Sequence, residues 1–296
     1  MEKKLYNELV SSISIELIKA STHLEDSLVN AIKEMKSVFE RAVAESDKET
    51  REHHRTEASL LVLTMILKNL KLAAEKQIPM CQDTGMLVAF ADIGPDAPFR
   101  LEELEKVITE GAALAFDKGH FRHSIVTDPL FKRENTQSNL PFVFHVATQQ
   151  QKGLSLHFLL KGFGSENCSA MRMLNPTATP SAVIDAVCEM VKTAGGKPCP
   201  PIVVGVGIGG TADMSAVLAK RALLREVGVH HADSEYCELE KDLLVKLQTT
   251  DIGPGGFGGP LTALGVSVEY MATHIAGLPV SVAISCWADR KAHVYL

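Results

Sequence analysis

Pro198-Cys199-Pro200-Pro201-Ile202-Val203-Val204-Gly205-Val206-Gly207-Ile208-Gly209-Gly210 is the stretch that decides the fold. From Ile202 to Ile208 it is apolar or glycine without a charge, the pattern of a strand covered on both faces. Amphipathic segments at about 181–194, 212–225 and 235–248 flank it in the chain, so this half reads as strands alternating with helices. The stretch also matches the dinucleotide-binding spacing, Gly205-x-Gly207-x-x-Gly210 between a strand and a helix. That fingerprint calls for an acid about 20 residues on, at the end of a second strand. Glu226 stands at that distance but just past a helix, so dinucleotide binding is only a rival reading.

Upstream, residues 5 to about 78 read as helices. Leu5, Leu9, Ile13 and Leu17 recur at spacing four, Leu24 to Phe39 repeat the pattern, and a third set runs from Leu60 to Leu72. The expected fold class is therefore mixed α/β, with a helical lobe at 1–78 and an α/β lobe at 79–296. The charged run from Glu45 to Glu57, with His53 and His54 inside it, shows no apolar stripe and reads as a solvated connection. Pro79 stops the third helix, and a β-like run follows from Met86 to Phe90. Strands are expected at Pro141–Ala147 and Gly153–Leu160, joined by a polar turn, and two more around the turn before Pro279. His145 and His157 fall opposite the more apolar faces of their strands, which suggests surface or subunit-contact positions.

Composition narrows the class. The chain has 296 residues, 46% hydrophobic and 22% charged, as in globular proteins. Its net charge of −6 argues against nucleic-acid partners while leaving room for a basic pocket that takes a small anion. No run approaches the roughly 18 apolar residues of a membrane helix. Met1-Glu2-Lys3-Lys4 opens an amphipathic pattern without a signal-peptide core, so a cytoplasmic location is expected.

Six cysteines are too few for a disulfide scaffold in a chain of this length. Cys188 and Cys237 fall within helical patterns and read as small core residues. Cys81, Cys168, Cys199 and Cys286 stand outside regular periodic stretches. Prolines on both sides of Cys199 hold its backbone, which suits a rigid metal ligand, although the long spacings resemble no zinc ribbon.

Five segments occur in one order: Cys81-Gln82-Asp83-Thr84-Gly85; Lys161-Gly162-Phe163-Gly164-Ser165-Glu166-Asn167; Cys199-Pro200-Pro201 with Gly205 to Thr211; Thr273-His274-Ile275-Ala276-Gly277-Leu278-Pro279; and Cys286-Trp287-Ala288-Asp289-Arg290. Together they resemble the class I, iron–sulfur fumarate hydratases, and in particular the separate N-terminal (α) subunit of two-subunit members, a group that includes L(+)-tartrate dehydratase. The resemblance implies that Cys81, Cys199 and Cys286 ligate a 4Fe-4S cluster, with Cys168 left out. Three thiolates for four irons leave one iron open as a Lewis acid on a substrate hydroxyl and carboxylate. It further implies Asp83 as proton donor or orienter and His274 as a substrate contact, the two catalytic candidates. Gln82, Arg122, Gly164 and Asn167 would bind the substrate, with Arg122 suited to a carboxylate.

The implied activity is reversible hydration of fumarate to malate, with tartrate or a mesaconate-type acid as the alternative four-carbon dicarboxylate. Cys286-Trp287-Ala288 resembles the tartrate branch and Gly164 to Asn167 the fumarate branch. In the family the remaining catalytic groups come from a β half, and the chain stops before such a segment, so a separate β subunit and an α₂β₂ assembly with an α–α contact are expected. Gln137 stands where glycine is usual, which speaks against a left-handed turn there, and Pro260 replaces a residue that is commonly basic or polar. A cluster-free structural or regulatory subunit is the rival from another class.

Overall fold

The computed structural model describes residues 2–296. Its element order is α1 (Glu2–Thr22), α2 (Asp26–Glu45), α3 (Arg51–Lys76), β1 (Met86–Ile93), α4 (Leu101–Lys118), β2 (Val143–Thr148), β3 (Leu154–Lys161), α5 (Phe163–Glu166), β4 (Ala170–Leu174), α6 (Pro180–Ala194), β5 (Ile202–Gly210), α7 (Ala212–Ala222), α8 (Ser234–Gln248), a 3₁₀ turn at Pro254–Gly256, β6 (Ala263–Thr273), β7 (Leu278–Ser285) and β8 (Lys291–Tyr295). The mixed α/β class and the helical start are as the periodicities indicate.

The chain forms two compact units that do not follow the 78/79 boundary. The first takes the residues through Leu24, Leu70–Phe163 and Arg290–Leu296, and the second takes Glu25–Asn69 and Gly164–Asp289. The three N-terminal helices are thus divided, because each amphipathic stripe is buried where it finds apolar surface.

In the first unit the sheet order is β2-β1-β3-β8, with β1 parallel to β2 and antiparallel to β3. The two strands expected to be joined by a turn therefore lie on opposite sides of β1. Alternate residues Leu87, Ala89 and Ala91 of β1 and Leu156, Phe158 and Leu160 of β3 are buried with Leu9, Ile13 and Leu17 of α1 and Leu104, Val107 and Ile108 of α4. Gly111 lets α4 approach α1, since a Cβ there would stand 2.8 Å from Ile13. On the opposite face one cross-strand row runs His145, Phe90, His157, His293. His157 is not a surface residue: its side chain is only 18% exposed, and its Nδ1 lies 2.7 Å from Nδ1 of His293. His145 is half-buried and stacked on Phe90.

The second unit carries the order β4-β7-β5-β6, with β5 parallel to β6 and antiparallel to β7. Val204 and Val206 share a core with Val187 and Val191 of α6 and Leu243 and Leu247 of α8. On the other face Gly205 and Gly207 admit α7: a Cβ on Gly205 would lie 2.1 Å from the Ala219 carbonyl oxygen, and one on Gly207 would lie 1.9 Å from that of Ser215. The glycine spacing is a device for close helix–sheet packing. α2 buries Leu28, Ile32, Met35 and Phe39 in this unit, and α3 receives the glycine loop 253–259, whose Gly258 carbonyl accepts the Ser59 hydroxyl at 2.6 Å.

Two further expectations are corrected. The charged run is the end of α2, a short turn and the first two turns of α3, and His53 inside it is buried. Gln137 does adopt a left-handed backbone, φ 59°, with its N–H donated to Asn135 Oδ1 at 2.7 Å, so the side-chain cap replaces the conformational ease of glycine.

Candidate active site

In the first unit the turn after α3 presents Cys81, Gln82 and Asp83. Asp83 is fixed from three directions. Its Oδ1 accepts the Gly85 N–H at 3.0 Å, its Oδ2 accepts the Phe163 N–H at 2.8 Å, and its backbone carbonyl accepts Nη1 of Arg290 at 2.9 Å. Gly85, at φ 87°, lies where a Cβ would collide with the β3 backbone at 2.8 Å, so the turn is pressed against that strand. Arg290 is only 2% exposed, and the motif that contains it implies no role for it. Its place in the Cys286 to Arg290 segment was visible in the sequence, but its partner, 207 residues away, was not.

Arg122 sits beside this turn, because the Thr84 hydroxyl donates to the Arg122 carbonyl at 3.4 Å, and its side chain is exposed. Gln82 is exposed as well. This unit therefore brings a thiol, an amide and a carboxylate together around one loop, with the backbone of Arg122 against it.

In the second unit Cys199 precedes β5 and Cys286 follows β7. Because these strands are antiparallel, with Val203 paired to Ser285, both cysteines stand at the same end of the sheet. None of the six cysteines is in a disulfide. Cys199 is exposed and holds φ 56°, a left-handed backbone that glycine favours and other residues seldom adopt. Gly164 and Asn167 lie in and just after α5, ahead of β4, whose Ala170 pairs with Val282 towards the same end. Both are exposed, and no atom lies within 4 Å of where a Cβ on Gly164 would be. Cys168 Sγ lies 3.5 Å from the Gly164 carbonyl, and Glu166 of the same loop is paired with Lys220 of α7 at 2.5 Å.

His274 is elsewhere. It follows β6 in a turn that passes over the end of β5, where the Thr273 hydroxyl donates to the Gly210 carbonyl at 2.8 Å. Its exposed ring takes the Ala276 N–H on Nδ1 at 3.1 Å. With nine residues in β5, at about 3.3 Å each, His274 lies roughly 25 Å along the sheet from the end that holds Cys199 and Cys286.

In the second unit Cys199 and Cys286 offer thiols from loops at one sheet end, and in the first unit Cys81 offers one from the Asp83 turn; thiolates are the ligands iron–sulfur clusters take. Comparison with known proteins agrees with that chemistry. The fumarate hydratase (Fumerase) family profile matches residues 25–295, and the chain belongs to this family. Among its relatives, a Methanocaldococcus jannaschii protein that carries the provisional name L(+)-tartrate dehydratase subunit alpha is 39% identical over 292 residues, 96% of each chain. The L(+)-tartrate dehydratase subunit alpha of Escherichia coli K12 is 28% identical, over 98% of this chain and 91% of its own.

Proposed function

We propose that this chain is the α subunit of an iron–sulfur hydro-lyase that hydrates fumarate to malate reversibly. The observation that carries the reading is the pair of thiols, Cys199 and Cys286, at one end of the second sheet beside the open Gly164–Asn167 loop, in a member of the fumarate hydratase family. Cys81, Cys199 and Cys286 would hold a 4Fe-4S cluster. When bound, such a cluster supplies an open iron as a Lewis acid towards a hydroxyl and a carboxylate.

The chain's own groups do the rest. Arg122 pairs with a substrate carboxylate in the two-pronged way a guanidinium allows. Gln82 and Asn167 donate amide hydrogens to the acid, and the bare backbone at Gly164 lets it approach. Asp83, held by the Gly85 and Phe163 amides, keeps one orientation towards the hydroxyl that leaves or enters, and serves it as proton donor or orienter. His274 contacts the substrate carboxylate. The distance of His274 from the cysteine end supports an α–α dimer in which one copy supplies the cysteines and the other His274. The relatives' names, subunit alpha, support a separate β subunit and an α₂β₂ assembly. Among the described residues no helix is long and apolar enough to cross a membrane, and thiol ligation suits a reducing cytoplasm.

A second reading, tartrate dehydration, is favoured by the names of the relatives. The test begins with anaerobic iron and sulfide content. About four irons per chain, lost in Cys81→Ala, Cys199→Ala and Cys286→Ala and kept in Cys168→Ala, support the ligand set. A wild-type chain that stays iron-free after reconstitution returns the case to a structural subunit. Turnover of fumarate, L(+)-tartrate and mesaconate with the β subunit added then selects the acid.

A further inference from the structure

The first two turns of α3 carry His53, His54 and Glu57, and one ligand atom from each lies within 4.8 Å of the other two. Helical spacing produces the cluster: His53 and Glu57 are four residues apart and His54 and Glu57 three, so all reach one side of the helix. His53 is 5% exposed, and its Nδ1 lies 2.8 Å from the Ser46 hydroxyl oxygen. That hydroxyl donates its single hydrogen to the Val43 carbonyl at 3.1 Å. With that hydrogen on Val43, Nδ1 of His53 is the donor to Ser46 in the tautomer that leaves the Nε2 lone pair for a metal. A second-nitrogen partner that fixes the tautomer is the usual companion of a metal-bound histidine.

The other two groups are adjustable. His54 Nδ1 and the Glu57 carboxylate are 4.0 Å apart, with side chains 67% and 62% exposed. Tetrahedral bonds of about 2.0–2.1 Å place ligand atoms about 3.3 Å apart. A closure of up to about 1.5 Å by two exposed side chains meets that distance, while buried His53 stays as the fixed point.

The geometry points to a divalent transition-metal site of the zinc class at His53, His54 and Glu57, completed by water and separate from the cysteines. Two imidazoles and one carboxylate are a donor set that zinc accepts. A bound ion would link the end of α2, through Ser46 and His53, to the start of α3.

The test is zinc titration of the full-length chain against a chromophoric chelator, with Co²⁺ as the spectroscopic probe. We expect one metal per chain at micromolar affinity, weakened at least about tenfold by His54→Ala or Glu57→Gln and about tenfold by Ser46→Ala. In a Cys81→Ala, Cys199→Ala, Cys286→Ala triple variant, which removes the competing thiols, the Co²⁺ spectrum should show d–d bands without thiolate charge transfer. His54 and Glu57 are exposed, and circular dichroism will confirm that their variants fold. Equal zinc affinity of wild type and His54→Ala, no d–d bands in the triple cysteine variant, or no uptake at millimolar zinc would each overturn the site. None of these readouts depends on iron content, so the cluster assignment and this one fail separately.

Discussion

Cys199 combines two demands at one position. Its left-handed backbone, φ 56°, costs a non-glycine residue about 1 kcal/mol, and glycine would carry it without strain. On the proposed reading the thiol is kept at this position as a cluster ligand. We expect the cluster-free Cys199→Gly variant to be more stable than Cys199→Ala by about 1 kcal/mol, a rise of roughly 2–4 °C in Tm. Both variants should lack iron. Thermal unfolding of the two apo proteins checks this, and equal melting points would mean that the backbone at 199 relaxes once the thiol is gone. Asp83 shows the same economy: a carboxylate that caps its own turn through Gly85 also reaches Phe163, so its orientation is set before any substrate arrives. Asp83→Asn keeps the shape but loses one acceptor, and we expect turnover with the β subunit to fall at least about 100-fold with the iron retained.

At the scale of elements, the β5–α7 contact is the most exacting. Gly207→Ala would drive a Cβ to 1.9 Å from the Ser215 carbonyl, so the helix must retreat, at an expected cost of about 2–3 kcal/mol in chemical denaturation. A nucleotide-binding role for these glycines would instead appear as saturable cofactor binding by wild type, lost in the variant. The α3–glycine-loop contact has its own signature. Asp251 accepts the Gly259 N–H at 2.9 Å and Arg55 Nη2 at 2.8 Å, and these, the amide first, hold its carboxyl below the usual range. A lowered folded-state pKa stabilises the fold above the ordinary carboxylate value near 4 and ceases to as pH falls through the folded value. The stability gap between wild type and Asp251→Asn should therefore be flat from about pH 5 to 8 and close below about pH 4; a gap that survives in acid would assign it to packing. What the sequence revealed at this scale follows from local pattern. Period-four stripes gave α1 to α3, and the uncharged run from Ile202 gave β5. Strands β4 and β8 were missed because Ala170–Leu174 and Lys291–Tyr295 are five residues each and interrupted by Arg172 or opened by Lys291. The insertion of β1 between β2 and β3, the burial of His53 and the partial burial of His157 are products of tertiary pairing that no local pattern encodes.

For the whole molecule, the question is how one catalytic set is assembled. Chain order and motif composition made Cys81, Asp83 and Cys286 legible as candidates, but the strand direction that sets Cys199 and Cys286 at one end and His274 at the other emerges only from the sheet. Two-fold symmetry makes the consequence testable. If each site draws its cysteines from one α copy and His274 from its partner, a dimer of one Cys286→Ala chain and one His274→Ala chain holds one site with both native groups and one with neither. Co-expressing the two chains equally should make half of the dimers mixed and restore about one quarter of the wild-type sites, with the β subunit present throughout. Iron content should stand near half of the wild-type value, because the His274→Ala copies keep their cysteines. Recovery to about a quarter of wild-type turnover, from parents that are each nearly inactive, supports the shared site. Activity no greater than the average of the two parents, in mixed dimers verified by differential tags, would mean that the cysteines and His274 do not meet across the α–α contact, and would leave His274 a turn residue held by Ala276 at the far end of β5.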